Sequence, residues 1–158
     1  MAKPRKTSKN EITSIADLTP DPSNARKHNP RNVGMIEAAL NEVGAARSIV
    51  IDEDGVVLAG NATIEAAAAA FGGDVPVRVV QANGREIIAV QRVGLTSEQK
   101  KRLALFDNRG AELAEWDSEE LKRLAVEDFP FHGIFTDEEL AKAVGEFGGV
   151  PLVPDDDE

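Results

Sequence analysis

The sequence predicts an α+β domain, a small mixed sheet packed by helices and followed by further short helices. Three observations lead there. Ile36, Leu40 and Val43 recur at helical spacing. Two β-branched runs, Ser48–Asp52 and Val56–Ala59, flank Glu53-Asp54-Gly55. The second run passes through Gly60 directly into the alanine-rich stretch Asn61–Phe71. A period near 3.6 marks an amphipathic helix, short β-branched runs mark strands, and their mixture in one chain defines the class.

In chain order, Ile12, Ile15 and Leu18 mark a short ordered segment, read as a strand. Pro20 and Pro22 then hold the chain extended or turning. Asn29-Pro30 opens the first helix, because proline is pre-set for the first helical turn, and Gly44 closes it. Asp54-Gly55 between two β-branched runs signals a hairpin. The five alanines Ala66–Ala70 combine high helix propensity with minimal bulk, the composition of a closely packed helix, and Gly72-Gly73 stops it. Val75–Val80 and Glu86–Val93 read as a second strand pair across Asn83-Gly84. Thr96-Ser97-Glu98-Gln99 has the signature of a helix start. Residues 117–126 and 136–145 follow Asp or Thr caps and read as short helices.

The chain's 158 residues suit one domain with tails, and a 42% apolar content is ordinary for a globular protein. Cysteine is absent, which excludes disulfides, thiolate catalysis and cysteine zinc sites. No apolar run approaches the ~20 residues a membrane span needs, and no apolar segment follows the basic N-terminus as in a secretory signal. A cytoplasmic location without membrane contact is the expectation. Net charge is −10 but uneven. Lys3, Arg5, Lys6 and Lys9 crowd the N-terminus, whereas beyond residue 110 only Lys122, Arg123 and Lys142 stand against a long series of acids. A basic arm of this kind meets DNA phosphates without sequence preference and with steep salt dependence, or is simply a solvated tail.

Three stretches carry candidate chemistry. At Gly60-Asn61-Ala62-Thr63, a strand end meets a helix N-terminus, whose free amides and dipole favour phosphate or carboxylate; alternatively Gly and Asn only turn the chain. Asn61 or Thr63 is expected to cap that helix or bind a ligand, and Glu65 is placed in its first turn. In Asn24-Ala25-Arg26-Lys27-His28, the cations suit phosphate and His28 suits a general base, with an exposed loop of incidental charge as the alternative. Asp107-Asn108-Arg109 reads as a helix end whose oxygens suit Mg²⁺, or as an ordinary cap. Trp116 is expected over a satellite core, and His132, between Phe131 and Gly133, is expected to be packed. No nucleophile elbow, Walker loop or GxGxxG motif is present.

Taken in order, Ile15-Ala16-Asp17-Leu18-Thr19-Pro20-Asp21-Pro22, Asn24-Ala25-Arg26, the helix ending at Gly44, the strand pair, Leu58-Ala59-Gly60-Asn61 and the alanine-rich helix resemble the N-terminal domain of the ParB/sulfiredoxin superfamily. The likeness is greatest to ParB-like domains that stand alone or precede DNA methyltransferases. The likeness covers a ParB-like domain at 12–116; composition and pattern add a basic arm at 1–11, a helical extension at 117–147 and an acidic tail at 148–158. The likeness also implies a pocket for a nucleoside triphosphate, CTP or ATP, with Mg²⁺. By the resemblance, Arg26, Gly60, Asn61, Ala62 and Thr63 meet the nucleotide, and Asp107 and Asn108 meet the metal. In partition proteins of this superfamily the corner glycine opens a Gly-Glu-Arg-Arg phosphate motif. Here Gly60 keeps the glycine while Asn61-Ala62-Thr63 follow it. Sulfiredoxin chemistry needs a corner cysteine that this chain lacks. The family's DNA-reading domain would follow near residue 110, where only an acidic stretch remains, so sequence-specific partition-site binding is not expected.

The implied role is a nucleotide-binding switch or adaptor in DNA metabolism, related to partition, modification or mobile elements. DNA and a DNA methyltransferase or other DNA-processing protein are its expected partners. Two alternatives stand beside it. One is a nucleotide hydrolase, phosphotransferase or nuclease-like enzyme with Glu65 or His28 as general base. The other is a non-catalytic protein–protein adaptor.

Overall fold

The computed structural model describes residues 11–145. Their elements are β1 (Thr19–Pro20), β2 (Arg26–Lys27), α1 (Pro30–Val43), β3 (Val50–Ile51), β4 (Val56–Ala59), α2 (Asn61–Phe71), α3 (Ser97–Leu113), β5 (Glu115–Trp116), α4 (Ser118–Val126) and α5 (Asp137–Val144). The class is α+β, as expected. The basic arm and the acidic tail lie outside the described residues. Among the described residues, no helix is long and apolar enough to cross a membrane.

The chain forms two compact units. The first holds the described residues up to Asn24 together with His28–Ala114; the second holds Ala25–Lys27 and the described residues from Glu115 onward. In the first unit a three-stranded sheet runs β1-β4-β3. β1 lies parallel to β4, pairing Thr19 with Val56, and β3 lies antiparallel to β4, pairing Ile51 with Val57 across a bulge. The hairpin at Asp54-Gly55 therefore forms as its sequence indicates. Asp52 Oδ1 accepts from the amides of Asp54 and Val56 inside it, both at 2.9 Å.

α1 packs against both α2 and α3. Its ends follow from local chemistry. The Asn29 side chain accepts from Asn32 N at 2.8 Å, Pro30 occupies the first helical position, and Gly44, at φ +78°, returns its amide to Ala39 O and Leu40 O. Leu40 from α1 meets Ile15 and the small side chains of Ala66 and Ala67 in the core, with Ile36, Ile64, Val75 and Val77 around them. The alanines let α2 approach closely, which is what their composition signals.

Two strand expectations fail. Residues 15–17 form a 3-10 turn, in which Asp17 Oδ2 accepts from the amides of Thr13 (2.9 Å) and Ser14 (3.0 Å). Those bonds hold the Asp17 carboxyl below its ordinary range. Val75–Val80 and Glu86–Val93 do not pair with each other. The backbone that would start their ladder is used elsewhere: Ile15 N donates to Val75 O at 3.0 Å and Val77 N to Thr13 O at 2.8 Å.

α3 begins where expected, with Thr96 and Gln99 exchanging side-chain and backbone bonds in a capping box. It does not stop at Asp107–Gly110 but runs on to Leu113. Gly110 is buried and faces α1: a Cβ there would stand 3.8 Å from Ile36 Cγ1. The glycine carbonyl accepts from Asn32 Nδ2 at 2.6 Å, and Asn29 Nδ2 donates to Leu113 O at 3.1 Å.

In the second unit β2 and β5 pair antiparallel, Arg26 with Trp116 and Lys27 with Glu115. α4 starts at the Asp117 cap and packs against α5, which starts at the Thr136–Glu139 capping box. Trp116, Phe135, Phe131 and Phe129 form a chain of edge-to-face contacts with centroids 5.0–6.0 Å apart. Trp116 and Phe129 of this cluster are exposed, each at 42%, so the rings form a surface cluster rather than the satellite core expected around Trp116; the buried side chains of this unit are Leu121 and Val144. His132 is exposed rather than packed.

Asn32 is the only buried polar side chain among the described residues, at 1% exposure. Asn32→Ala leaves the Gly110 carbonyl buried without that donor, a loss of ~1–3 kcal/mol. Asn41→Ala, at an exposed site on the same helix, is expected to stay within about 0.5 kcal/mol of the parent. Urea unfolding of the two variants checks this, and equal midpoints would contradict it.

Candidate phosphate-binding corner

The corner is built from β4, Gly60 and the first turn of α2. Gly60 adopts the left-handed conformation, φ +100° and ψ 21°. A Cβ at this position would collide with Ile49 Cγ2 and stand 3.0 Å from Ile49 Cβ. Glycine is therefore required twice here, by the backbone and by Ile49, which fills the space a side chain would need.

Asn61 does not cap the helix. Its Oδ1 accepts from Asp21 N at 3.1 Å, and its Nδ2 donates to Val57 O at 3.0 Å. Both ends of the amide thus staple the corner to the loop after β1 and to β4. Asp21 Oδ1 accepts in turn from Ser23 N at 2.9 Å, which shapes that loop. Thr63 does not cap either: Gly60 holds the N-cap position and has no side chain to offer. The first intrahelical bond at this end is Ile64 N to Gly60 O, at 3.1 Å. The amides of Asn61, Ala62 and Thr63 donate to no carbonyl among the described residues, and the positive end of the helix dipole is left without a capping anion. Ala62 is buried and Thr63 half-buried. Glu65 is the fifth helical residue, one turn further on, and is exposed. It does not lie in the first turn as expected.

His28 is occupied at both ring nitrogens. Asn32 Oδ1 can only accept, so His28 Nδ1–H donates to it at 3.1 Å; Nε2 lies 3.4 Å from Asn24 Nδ2 and accepts from it in the neutral ring. Its ring thereby links the loop before α1 to buried Asn32. Arg26 belongs to the second unit, where its guanidinium lies over the Trp116 ring, 4.5 Å from the centroid.

Asp107 and Asn108 sit inside α3, both exposed. Successive helical residues point about 100° apart, so the two oxygens diverge. Asp107 is moreover engaged by Arg47, whose Nε lies 3.1 Å from its Oδ1. No group of three His, Asp or Glu side chains gathers to hold a metal among the described residues.

Arg47 was not singled out in the sequence. It lies two residues before Ile49, the side chain against Gly60, and so brings a cation close in sequence to the corner. Between α1 and α3 themselves, Arg102 holds Glu42 through Nε–Oε1 and through Nη2–Oε2, the latter at 2.9 Å, which keeps the Glu42 carboxyl below its ordinary range. Neither ion pair has a local sequence signature, because the partners stand about sixty residues apart.

A parallel–antiparallel three-stranded sheet, a left-handed glycine at a strand end and an alanine-rich helix packed on α1 define a small α+β domain with an anion-receptive corner. Over 88 residues this chain is 31% identical to the ParB-like nuclease domain-containing protein YnaK of Escherichia coli (strain K12). The match takes in 56% of this chain and 87% of that relative. With so much of the relative covered, the chain belongs to the ParB-like domain family. No family model matches the sequence, and no solved structure matches it.

The close fit of Ile49 sets an expectation for the corner glycine. Gly60→Ala should cost roughly 2–6 kcal/mol, from a left-handed non-glycine residue (~1–3) and from overpacking (~1–3). Adding Ile49→Ala should recover the overpacking part but not the backbone part. Chemical denaturation of the double-mutant cycle reads this. Strictly additive losses would show that Ile49 does not occupy the space.

Proposed function

We propose that this ParB-like domain binds the phosphates of a nucleotide at Gly60–Thr63 and serves as a nucleotide-responsive binding module in DNA metabolism. The observation that carries the reading is the bare start of α2, where three consecutive amides beyond a left-handed glycine donate to no carbonyl among the described residues. Such a terminus offers both hydrogen bonds and positive potential to an anion. CTP and ATP are the nucleotides to test first. Mg²⁺ would arrive with the phosphates, which leave it in need of only one or two protein oxygens, and Asp107 and Asn108 are the donors to test. The DNA connection is supported by the relative's description as a nuclease-domain protein and by the cationic residues near the N-terminus. A DNA methyltransferase or another DNA-processing protein is the corresponding partner class.

That same description favours a second reading, nuclease-like hydrolysis. The engaged nitrogens of His28 and the exposed, helical position of Glu65 speak for binding over catalysis.

Thr63→Asp separates these readings from a merely structural corner. A carboxylate in the first helical turn favours the helix, so the ligand-free melting temperature should hold or rise. The same charge repels phosphate. In the parent, a nucleotide at ~100 times its dissociation constant should add about 2.7 kcal/mol; in Thr63→Asp this gain should vanish. Labelled nucleotide and DNA incubated alongside report turnover, expected to be absent. A full ligand-induced shift in the variant, or none in the parent, contradicts the proposal, and steady product release favours the enzyme.

A further inference from the structure

Residues 78–91 are all exposed, and they include the β-branched Val79, Val80, Ile87, Ile88 and Val90. Ile87 is 96% exposed and Val93 85%. Among the described residues, the backbone amides of this stretch donate to no backbone carbonyl; Arg85 N alone finds a side-chain acceptor, Asn83 Oδ1 at 3.0 Å. The stretch is nonetheless anchored at both ends. Val77 N is bonded to Thr13 O, and Arg92 Nη1 donates to Ala45 O at 2.9 Å beside the end of α1. An anchored segment rich in β-branched side chains, with its peptide groups open, is a template for another strand.

We propose that Glu86–Arg92 pairs antiparallel with the same segment of a second copy of this chain, about a two-fold axis through Ala89. Charge complementarity selects the occupant and the register. Centred on Ala89, the pairing sets Glu86 opposite Arg92 of the second copy, and Arg92 opposite its Glu86. Ile88 then faces Val90 twice, and Ile87 faces Gln91. Directly opposed opposite charges and β-branched pairs are the contacts that stabilise such ladders. Moving the axis by half a residue sets Glu86 against Val93 and Ile87 against Arg92, and both ion pairs are lost. In-register parallel pairing sets Glu86 against Glu86 and Arg92 against Arg92. The Ala45 carbonyl uses one donor of Arg92, and the remaining guanidinium N–H groups can still meet the carboxylate.

The absence of cysteine gives a direct test. In Ala89→Cys the sole thiol faces its own copy across the axis, within the Cβ separation a disulfide can close with a small adjustment. Mild oxidation of the full chain should convert Ala89→Cys into a covalent dimer, whereas the equally exposed Val80→Cys should stay monomeric. Sedimentation equilibrium of the parent should show a reversible dimer. Ala89→Pro, at an exposed position outside the core, should abolish it without lowering the melting temperature. Glu86→Arg should weaken the dimer by about tenfold or more, and Glu86→Arg with Arg92→Glu should restore it. A parent that is monomeric up to its solubility limit overturns the proposal and leaves the segment to another protein or to nucleic acid. A dimer indifferent to Ala89→Pro, equal crosslinking at positions 80 and 89, or no recovery in the charge swap overturns it as well.

Discussion

The left-handed turn at Gly60 constrains everything built around it. At φ +100°, β4 is turned directly into α2, and the absent side chain is replaced by Ile49 from the segment leading into β3. β3, β4 and α2 are thus locked at one point. The amide of Asn61 extends the lock to β4 and to the loop after β1. The orientation of α2 then determines where Ala66 and Ala67 meet Leu40 of α1. The same geometry that fixes the fold leaves the first amides of α2 without carbonyl partners, because a glycine cap cannot reach back to them. The glycine the fold requires is thus also the residue that leaves these amides open.

α1 carries the second constraint. It faces α2 with Leu40 and α3 with Asn32, whose side chain reaches the Gly110 carbonyl, and the ion pairs Glu42–Arg102 and Arg47–Asp107 reinforce that side. The ion pairs are substantially exposed and contribute little individually, so buried Asn32 carries more of the registration of α1 on α3. His28 supports Asn32 from the loop before α1. Through that bond it belongs to this framework.

Elements with strong terminal chemistry were legible in the sequence. Asn29-Pro30 and Gly44 delimit α1, Gly60 and Gly72 delimit α2, and Thr96 with Gln99 opens α3, because caps are local. The hairpin at Asp54-Gly55 was legible for the same reason. Residues 75–93 were not. Period-two alternation shows that a backbone is extended but does not name its partner, and here the start of the segment bonds to Thr13–Ile15. The end of α3 was misread because Gly110 resembles a stop signal; tertiary packing against Ile36 and Asn32 keeps it helical. Of the candidate site, the Gly60 corner was legible as strand, glycine and helix. The divergence of Asp107 and Asn108 follows from α3 continuing through them, and the engagement of Asp107 by Arg47 depends on a contact between distant segments that no local pattern encodes.

Membership of the ParB-like family and the open amides after Gly60 support the proposed account, in which phosphate is met by backbone amides at a fixed glycine turn rather than by arginines after it. The amides themselves report on this most directly. In a ¹H–¹⁵N correlation spectrum of the full chain titrated with CTP or ATP, Asn61, Ala62 and Thr63 should show the largest saturable shifts, moving together with one dissociation constant. Shifts centred on another surface, or none at concentrations where inorganic phosphate also fails to move these three signals, would contradict the account.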